Sequence, residues 1–310
     1  MKKFVSKKVV AAVVLGLTLF GGMSLQNAAH AETQNTTVAV NVQVQQEAKG
    51  VVDWTKGANS DITVVGIGLP PVNSGSRGTP LARRAAIVDA YRFLAETIKS
   101  VQVDSETTVE NLELKSDVVK TKVSALVQGA RIIEEGSNPD GSYYVKMAVP
   151  LYGSGSVAAI AIPEIQKEVA PEPLPSVNLE ETTLPKQEVK EVKSAAFTGV
   201  IVDASGLGLE ATFSPVIYDE NGRGIYGMKN INLDFAISKG MVEYATNCDQ
   251  AVSNSRAGAS PLVVKAVAVT GGNNSVNKVN VVVSVNDGDK ILLANENSGM
   301  LQNCSVVFVK

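Results

Sequence analysis

The stretch GIGLPPVNSGSRGTPLARRAA places Gly66 and Gly68 at the end of an apolar run, with Arg77, Arg83 and Arg84 shortly after. Glycines between a strand and a helix start can let backbone N–H groups cradle a phosphate. A P-loop also needs a lysine and a serine or threonine directly after its glycines, and SGSRGTP has no lysine. A dinucleotide fingerprint needs a third glycine where Pro71 stands. Pro80 removes a backbone N–H from the first helical turn, where an anion would bind. Gly66, Gly68, Arg77, Arg83 and Arg84 are therefore a candidate anion or partner site. The competing reading is a strand-to-helix connection whose glycines permit a tight turn.

The remaining reactive side chains are sparse. The single histidine, His30, lies in the N-terminal leader, so the chain after the leader has no imidazole for Ser-His-Asp, Cys-His or histidine-metal chemistry. Glu134 and Glu135 are adjacent and would point to opposite faces of a strand. Glu180 and Glu181 sit in a polar stretch. Asp287 and Asp289 lack the other oxygen ligands of a calcium loop and read as helix-capping residues. Trp54, the lone tryptophan, reads as a packing residue. Cys248 and Cys304 are the only cysteines. In an oxidising compartment they are a candidate disulfide, which depends on a spatial separation that the sequence does not give. No catalytic, metal or cofactor-binding residue is assigned, and no enzyme is expected.

The leader explains the compartment. Lys2, Lys3, Lys7 and Lys8 precede an apolar core from Val9 to Phe20, and Ala29-His30-Ala31 is a small-x-small cleavage site. This is the pattern of a signal peptide cut after Ala31. The core is shorter than the ~20 residues of a membrane span. No later segment is long and apolar enough to span a bilayer, and no cysteine stands at the cleavage site. An exported protein, periplasmic or surface-associated and not lipid-anchored, is expected. Cleavage removes four lysines and no acid, leaving 24 basic against 31 acidic residues and a net charge of −7. That charge disfavours nucleic acid.

Composition divides the rest. Residues 32–50 are expected to fray, although TVAVNVQV alternates. Residues 51–153 form a first domain. DITVVGIGL reads as a strand, and Thr79 and Pro80 as cap and first position of a helix. Leu81, Ala85, Val88, Tyr91, Ala95 and Ile98 recur as one helical face. Asp89, Arg92, Glu96 and Lys99 form a charge ladder. VQVDSETTV reads as a strand, SDVVKTKVSALVQGA as a second helix, and RIIEEGSNPDGSYYVKMAVPLYG as a hairpin turning at Asn138–Gly141. Residues 154–196, with Pro163, Pro171, Pro173, Pro175 and Pro185 among Glu and Lys, read as a disordered linker. Residues 197–310 form a second domain of β-branched runs, with an Asn221-Gly222 hairpin turn and a helix from Asp287 to Gly299. The fold class is α+β: two small domains, each a sheet with packed helices, joined by a Pro/Glu/Lys-rich linker.

GIGLPP, ARRAAIVDAYRFLAETIKSVQVDSETTV and SYYVKMAVPLYG resemble the lipoprotein-20 family and the related domains of flagellar assembly proteins P and T. Ala82, Arg83, Ala85, Ala86, Asp89, Ala90, Arg92 and Leu94 stand at the positions of that family's helix, over roughly residues 60–152. Residues 197–310 are similar to a module found beside such domains in bacterial envelope proteins. The resemblance implies a non-catalytic envelope protein, structural or assembly-related and flagellum-associated in some members. It would bind other envelope proteins or copies of itself. A small-ligand or anion-binding envelope protein using Gly66–Arg84 is the alternative. Many members carry an N-terminal lipid on cysteine, and here Ala31 closes the leader.

Overall fold

Alternation in DITVVGIG puts Ile62, Val64, Gly66 and Gly68 on one buried face of a strand. The computed structural model describes residues 50–272 and 275–310, so the leader with Ala31 and the 32–49 segment lie outside the described residues. The first half holds β1 (Val51–Val52), β2 (Asp61–Gly68), α1 (Gly78–Ser100), α2 (Val109–Lys115), α3 (Asp117–Gln128), β3 (Arg131–Ser137) and β4 (Tyr143–Pro150). The strands form an antiparallel sheet in the order β1-β2-β4-β3, and α1 lies across β2 and β4.

The buried stripe of α1 is Ala82, Ala86, Ala90, Leu94 and Ile98, at four-residue steps. The expected face is rotated from it: Leu81 and Val88 are exposed, Val88 at 68%. Gly66 and Gly68 give the physical reason. A methyl group at Gly66 would overlap the carbonyl of Ala86 and the amide of Ala90, and one at Gly68 would sit 2.6 Å from the Ala86 nitrogen. The helix backbone rests on bare strand backbone, and only alanine fits between. Larger side chains enter the core where the strand carries side chains again, at Leu94 and Ile98. The helix begins at Gly78 with Arg77 at the cap position, two residues before the expected Thr79 cap.

VQVDSETTV makes only an isolated bridge, Gln102 to Thr108, instead of a strand. Val101, Val103 and Val109 are buried, and the backbone here is spent on the second half: Ser214 N–H donates to Val103 O at 2.9 Å.

Residues 154–196 depart furthest from expectation. They carry α4 (Val157–Glu168), with Pro163 inside it, and α5 (Lys186–Ser194). Ser156 caps α4, accepting from Ala159 N–H at 3.1 Å, and six of its apolar residues are buried, among them Ile160, Ile162 and Ile165. The extended chain between the helices and α5 itself are tied to the second half. Glu172 N–H donates to Lys229 O at 3.1 Å, and Lys193 pairs with Glu296 at 2.9 Å. Leu184 and Val192 are buried. The prolines exclude regular structure over 170–185, yet an extended chain docked on a surface needs none.

The second half holds β5 (Gly199–Asp203), β6 (Ile217–Asp219), β7 (Gly224–Tyr226), α6 (Leu233–Lys239), β8 (Glu243–Ala245), α7 (Cys248–Val252), β9 (Pro261–Thr270), β10 (Asn280–Val283), α8 (Val285–Ser298) and β11 (Val306–Val309). Its seven strands run β7-β6-β10-β9-β5-β11-β8 in one mixed sheet. Parallel pairing joins β9 to β5, β5 to β11 and β11 to β8. Helix α8 begins with Ser284 as its cap, whose hydroxyl accepts from Asp287 N–H at 3.1 Å, and ends at Gly299 in the left-handed region. Asp287, expected as the cap, stands in the first turn instead.

Two α+β halves are thus present, and they are fused. Trp54 and Tyr152 of the first half meet Phe213 and Tyr244 of the second edge to face, with the Trp54 and Phe213 centroids 5.1 Å apart. Such pairs add about 0.5–1.5 kcal/mol each beyond area burial. Gly153 N–H donates to Ile237 O at 2.8 Å across the same junction.

Substituting Gly66 or Gly68 with alanine is expected to destabilise the chain by at least the ~1–3 kcal/mol of core overpacking. Gly224→Ala, where nothing lies within 4 Å of the added carbon, is expected to stay within about 0.5 kcal/mol of the parent. Urea unfolding measures both, and equal effects would refute the close helix-strand contact.

Candidate functional site

The candidate Gly66–Arg84 region does not assemble into an anion cradle. Gly66 and Gly68 lie beneath α1, so their faces are occupied by helix backbone. Arg83 is held by Glu135 of β3 in a two-pronged pair at 2.8 and 3.2 Å. Arg77 and Arg84 are exposed on either side of the helix start. What the region does contain is an edge device. Asp89 of α1 accepts the Ile67 N–H of β2 at 3.1 Å and the Arg92 guanidinium at 2.9 Å. β1 pairs with β2 only at Ile62 and Thr63, so Asp89 satisfies a backbone donor on the uncovered edge. Arg83 and Asp89 therefore fasten α1 to strands. Glu134 and Glu135 part as expected, Glu134 accepting from the Tyr144 hydroxyl at 3.1 Å.

The densest buried charge lies elsewhere, where β6 and α8 meet the docked connector. Asp219 and Asp289 are buried, and the Arg223 guanidinium bridges them at 2.9 and 2.6 Å. Asp219 also accepts the N–H groups of Asn221 and Arg223, at 3.0 and 2.9 Å, which shapes the turn at Asn221-Gly222. The second oxygen of Asp289 accepts from the Thr182 hydroxyl at 2.6 Å. Burial of Arg223 works against its charge, but the two carboxylates outweigh burial and raise its pKa. Two carboxylates with one cation could suggest a metal site, yet every oxygen has a protein donor. Among the described residues there is no group of three or more His, Cys, Asp or Glu placed to hold a metal ion. The cluster ties Thr182 of the connector to the sheet. Sequence reading missed it because Asp219 and Asp289 are 70 residues apart and Asp219 sits beside an ordinary turn signal.

A buried cation, Arg256, donates to the carbonyls of Gly240 and Cys304 at 2.8 and 3.1 Å, to that of Lys239, and to Glu243 at 3.2 Å. Burial, then the Arg256 charge, lowers the Lys239 pKa.

The two cysteines are free: Cys248 is exposed and Cys304 buried. The candidate disulfide is corrected by topology. Cys304 precedes β11 and Cys248 follows β8, and these strands are parallel with Val309 opposite Ala245. The two residues therefore lie at opposite ends of β11, and four residues at ~3.3 Å each exceed disulfide reach. Burial, then the neighbouring Asp203, raises the Cys248 thiol pKa.

Asp289→Ala leaves the half-buried Arg223 with Asp219 as its remaining carboxylate partner and is expected to cost about 1–3 kcal/mol. It should also speed proteolysis within residues 170–185, which limited digestion with mass mapping measures. A thiol reagent should label Cys248 in the native state, faster as pH rises through the thiol range, and Cys304 only after unfolding. Intact mass unchanged by reduction checks the free thiols.

Residues 53–149 match the family model described as LPP20 lipoprotein, and residues 199–310 match that described as Treponema pallidum Tp0624, second domain. The comparison with curated proteins gave no match. The lipoprotein-20 part of the resemblance holds, now from residue 53, and neither match carries its flagellar part. A family described as lipoproteins points to the cell envelope and gives no support to the expectation of an unanchored chain. Among the described residues no helix is long and apolar enough to cross a membrane. The chain is thus similar over part of its first half to LPP20 lipoproteins and over its second to the second domain of Treponema pallidum Tp0624, each match covering well under half of its length.

Proposed function

We propose that the chain is a non-catalytic component of the cell envelope that works by contact with other subunits. One observation carries the reading: among the described residues, the face of the seven-stranded sheet around β9 has no cover. Leu262, Val264 and Ala266 of β9 join the core under α8, whereas Val263 and Val267 on the opposite face are 52% and 49% exposed. β9 is a central strand flanked by β10 and β5. The short α7 covers only the far part of that face, over Ile201, Val307 and Ala245. A sheet with parallel pairing is ordinarily buried on both faces, so half-exposed valines on a central strand suit a protein partner. The partner is another envelope protein or a second copy of the chain. Lys265 between the two valines, with Asp203 opposite it in register, gives the patch both charges.

The lipoprotein description of the first-half match supports the envelope setting. Flagellar placement rests on the resemblance of residues 60–152 alone. An anion-binding role at Gly66–Arg84 is disfavoured, because its glycines are covered and Arg83 is paired. The non-catalytic part of the reading is supported by the lack of histidine beyond the leader and by the pairing of Asp219 and Asp289 with Arg223.

The pair of substitutions Val263→Glu and Val267→Glu is expected to abolish self-association in light scattering, or capture of a partner from envelope extracts, without changing the unfolding midpoint. Unchanged association in both assays would overturn the reading.

A further inference from the structure

A cleft of about 570 Å³ opens between the two halves, a size typical of small-molecule sites. One wall is the first-half loop Asp104–Glu106. The other is formed by β6, β7 and the start of β10, and the connector at Glu172–Pro175 closes the side. The fused halves and the docked connector create this space, and neither half contains it alone.

Two buried polar side chains on its lining have unused hydrogen-bonding capacity. Asn280 is 3% exposed; its Oδ1 accepts from Val216 N–H at 2.9 Å, and its amide nitrogen has no partner among the described residues. Ser214 is 6% exposed; its N–H is bonded to Val103 O, and its hydroxyl likewise has no partner among the described residues. Among the described residues the fully buried side-chain atom without a partner is Ser60 Oγ; the Asn280 amide and the Ser214 hydroxyl line the cleft instead and are free to bond a molecule that enters it. Beside them stand the half-buried Tyr218 and the buried Tyr226, whose hydroxyl is already donated to Met241 O at 2.7 Å. Tyr226 is 1% exposed and backs the wall, so the half-buried Tyr218 supplies the accessible ring.

The charges decide the ligand class. Glu172 is neutralised by Lys229 at 2.9 Å. One oxygen of Asp104 is occupied by the Glu106 and Thr107 N–H groups, both at 2.8 Å. The other oxygen of Asp104 and the Glu106 carboxylate, at the exposed rim, have no partner among the described residues. No unpaired cation on the lining would hold an anion, and the two carboxylates can accept from hydroxyl groups. Amide and hydroxyl groups beside a tyrosine ring match a neutral molecule rich in hydroxyls with apolar C–H faces. We propose that the cleft between the halves binds a saccharide, with Asn280 and Ser214 bonding its hydroxyls and the Tyr218 ring packing on its apolar face. The site is independent of the contact surface around β9.

The test is titration of the full chain with chitotriose and maltotriose, followed by ¹H–¹⁵N NMR and calorimetry, with spermidine and inorganic phosphate run in parallel. A saccharide is expected to shift the Asn280 side-chain amide and the Gly224 and Gly227 backbone signals. Asn280→Asp keeps the oxygen that holds Val216 and removes the donor; Ser214→Ala removes the hydroxyl. Each is expected to weaken binding at least tenfold with an unchanged unfolding midpoint. Failure of both saccharides to bind, binding unaffected by the two variants, or shifts at these signals with spermidine or phosphate alone would each overturn the proposal.

Discussion

An indole ring set edge-on among Tyr152, Phe213 and Tyr244 joins a four-stranded sheet to a seven-stranded one. Rings in this arrangement exchange partial charges between face and edge and fill space at interior density. The junction is reinforced by backbone bonds from Gln102 and Val103 to the 212–214 segment, with Tyr244 donating to Thr212 O at 3.1 Å. Because the halves are held in one relation, the connector has a fixed surface to follow and the cleft has two fixed walls. Separate domains on a mobile tether would have neither.

Charge serves the same end. Arg223 and Arg256 are the costly groups to bury, and each is surrounded by acceptors from segments distant in the chain. A buried ion pair contributes little net stability over an apolar replacement, but losing one member is expensive. Such clusters therefore specify which segments meet. The Asp219–Arg223–Asp289 group selects the path of the connector through Thr182, and Arg256 gathers the ends of α6 and the turn before β11.

Helix α1 illustrates how backbone proximity overrides side-chain pattern. Its sequence offers two apolar stripes, one of large residues and one of alanines. Periodicity favours the large one, since burial scales with apolar area. Gly66 and Gly68 reverse the choice, because a helix that touches strand backbone can present only alanine there. The stripe left outside, with Leu81 and Val88, is exposed.

Local chemistry determined much of this protein from sequence alone: the strand at 61–68, the helices after residue 78 and before Gly299, the hairpin closing at Gly141, and the division into two α+β halves. These depend on turns, caps and short periodicities, which neighbouring residues settle between themselves. Tertiary structure decided the rest. Helix α4 forms around Pro163 because its apolar residues find a core, and the proline-rich connector is ordered by a surface contributed from elsewhere in the chain. Cys248 and Cys304 are parted by the direction of parallel strands, and Asn280 faces Glu106 across a cleft only because distant aromatic rings meet. Contacts between residues a hundred positions apart leave no periodic trace, since each side chain is ordinary in its own neighbourhood and gains its role from what the fold sets opposite it.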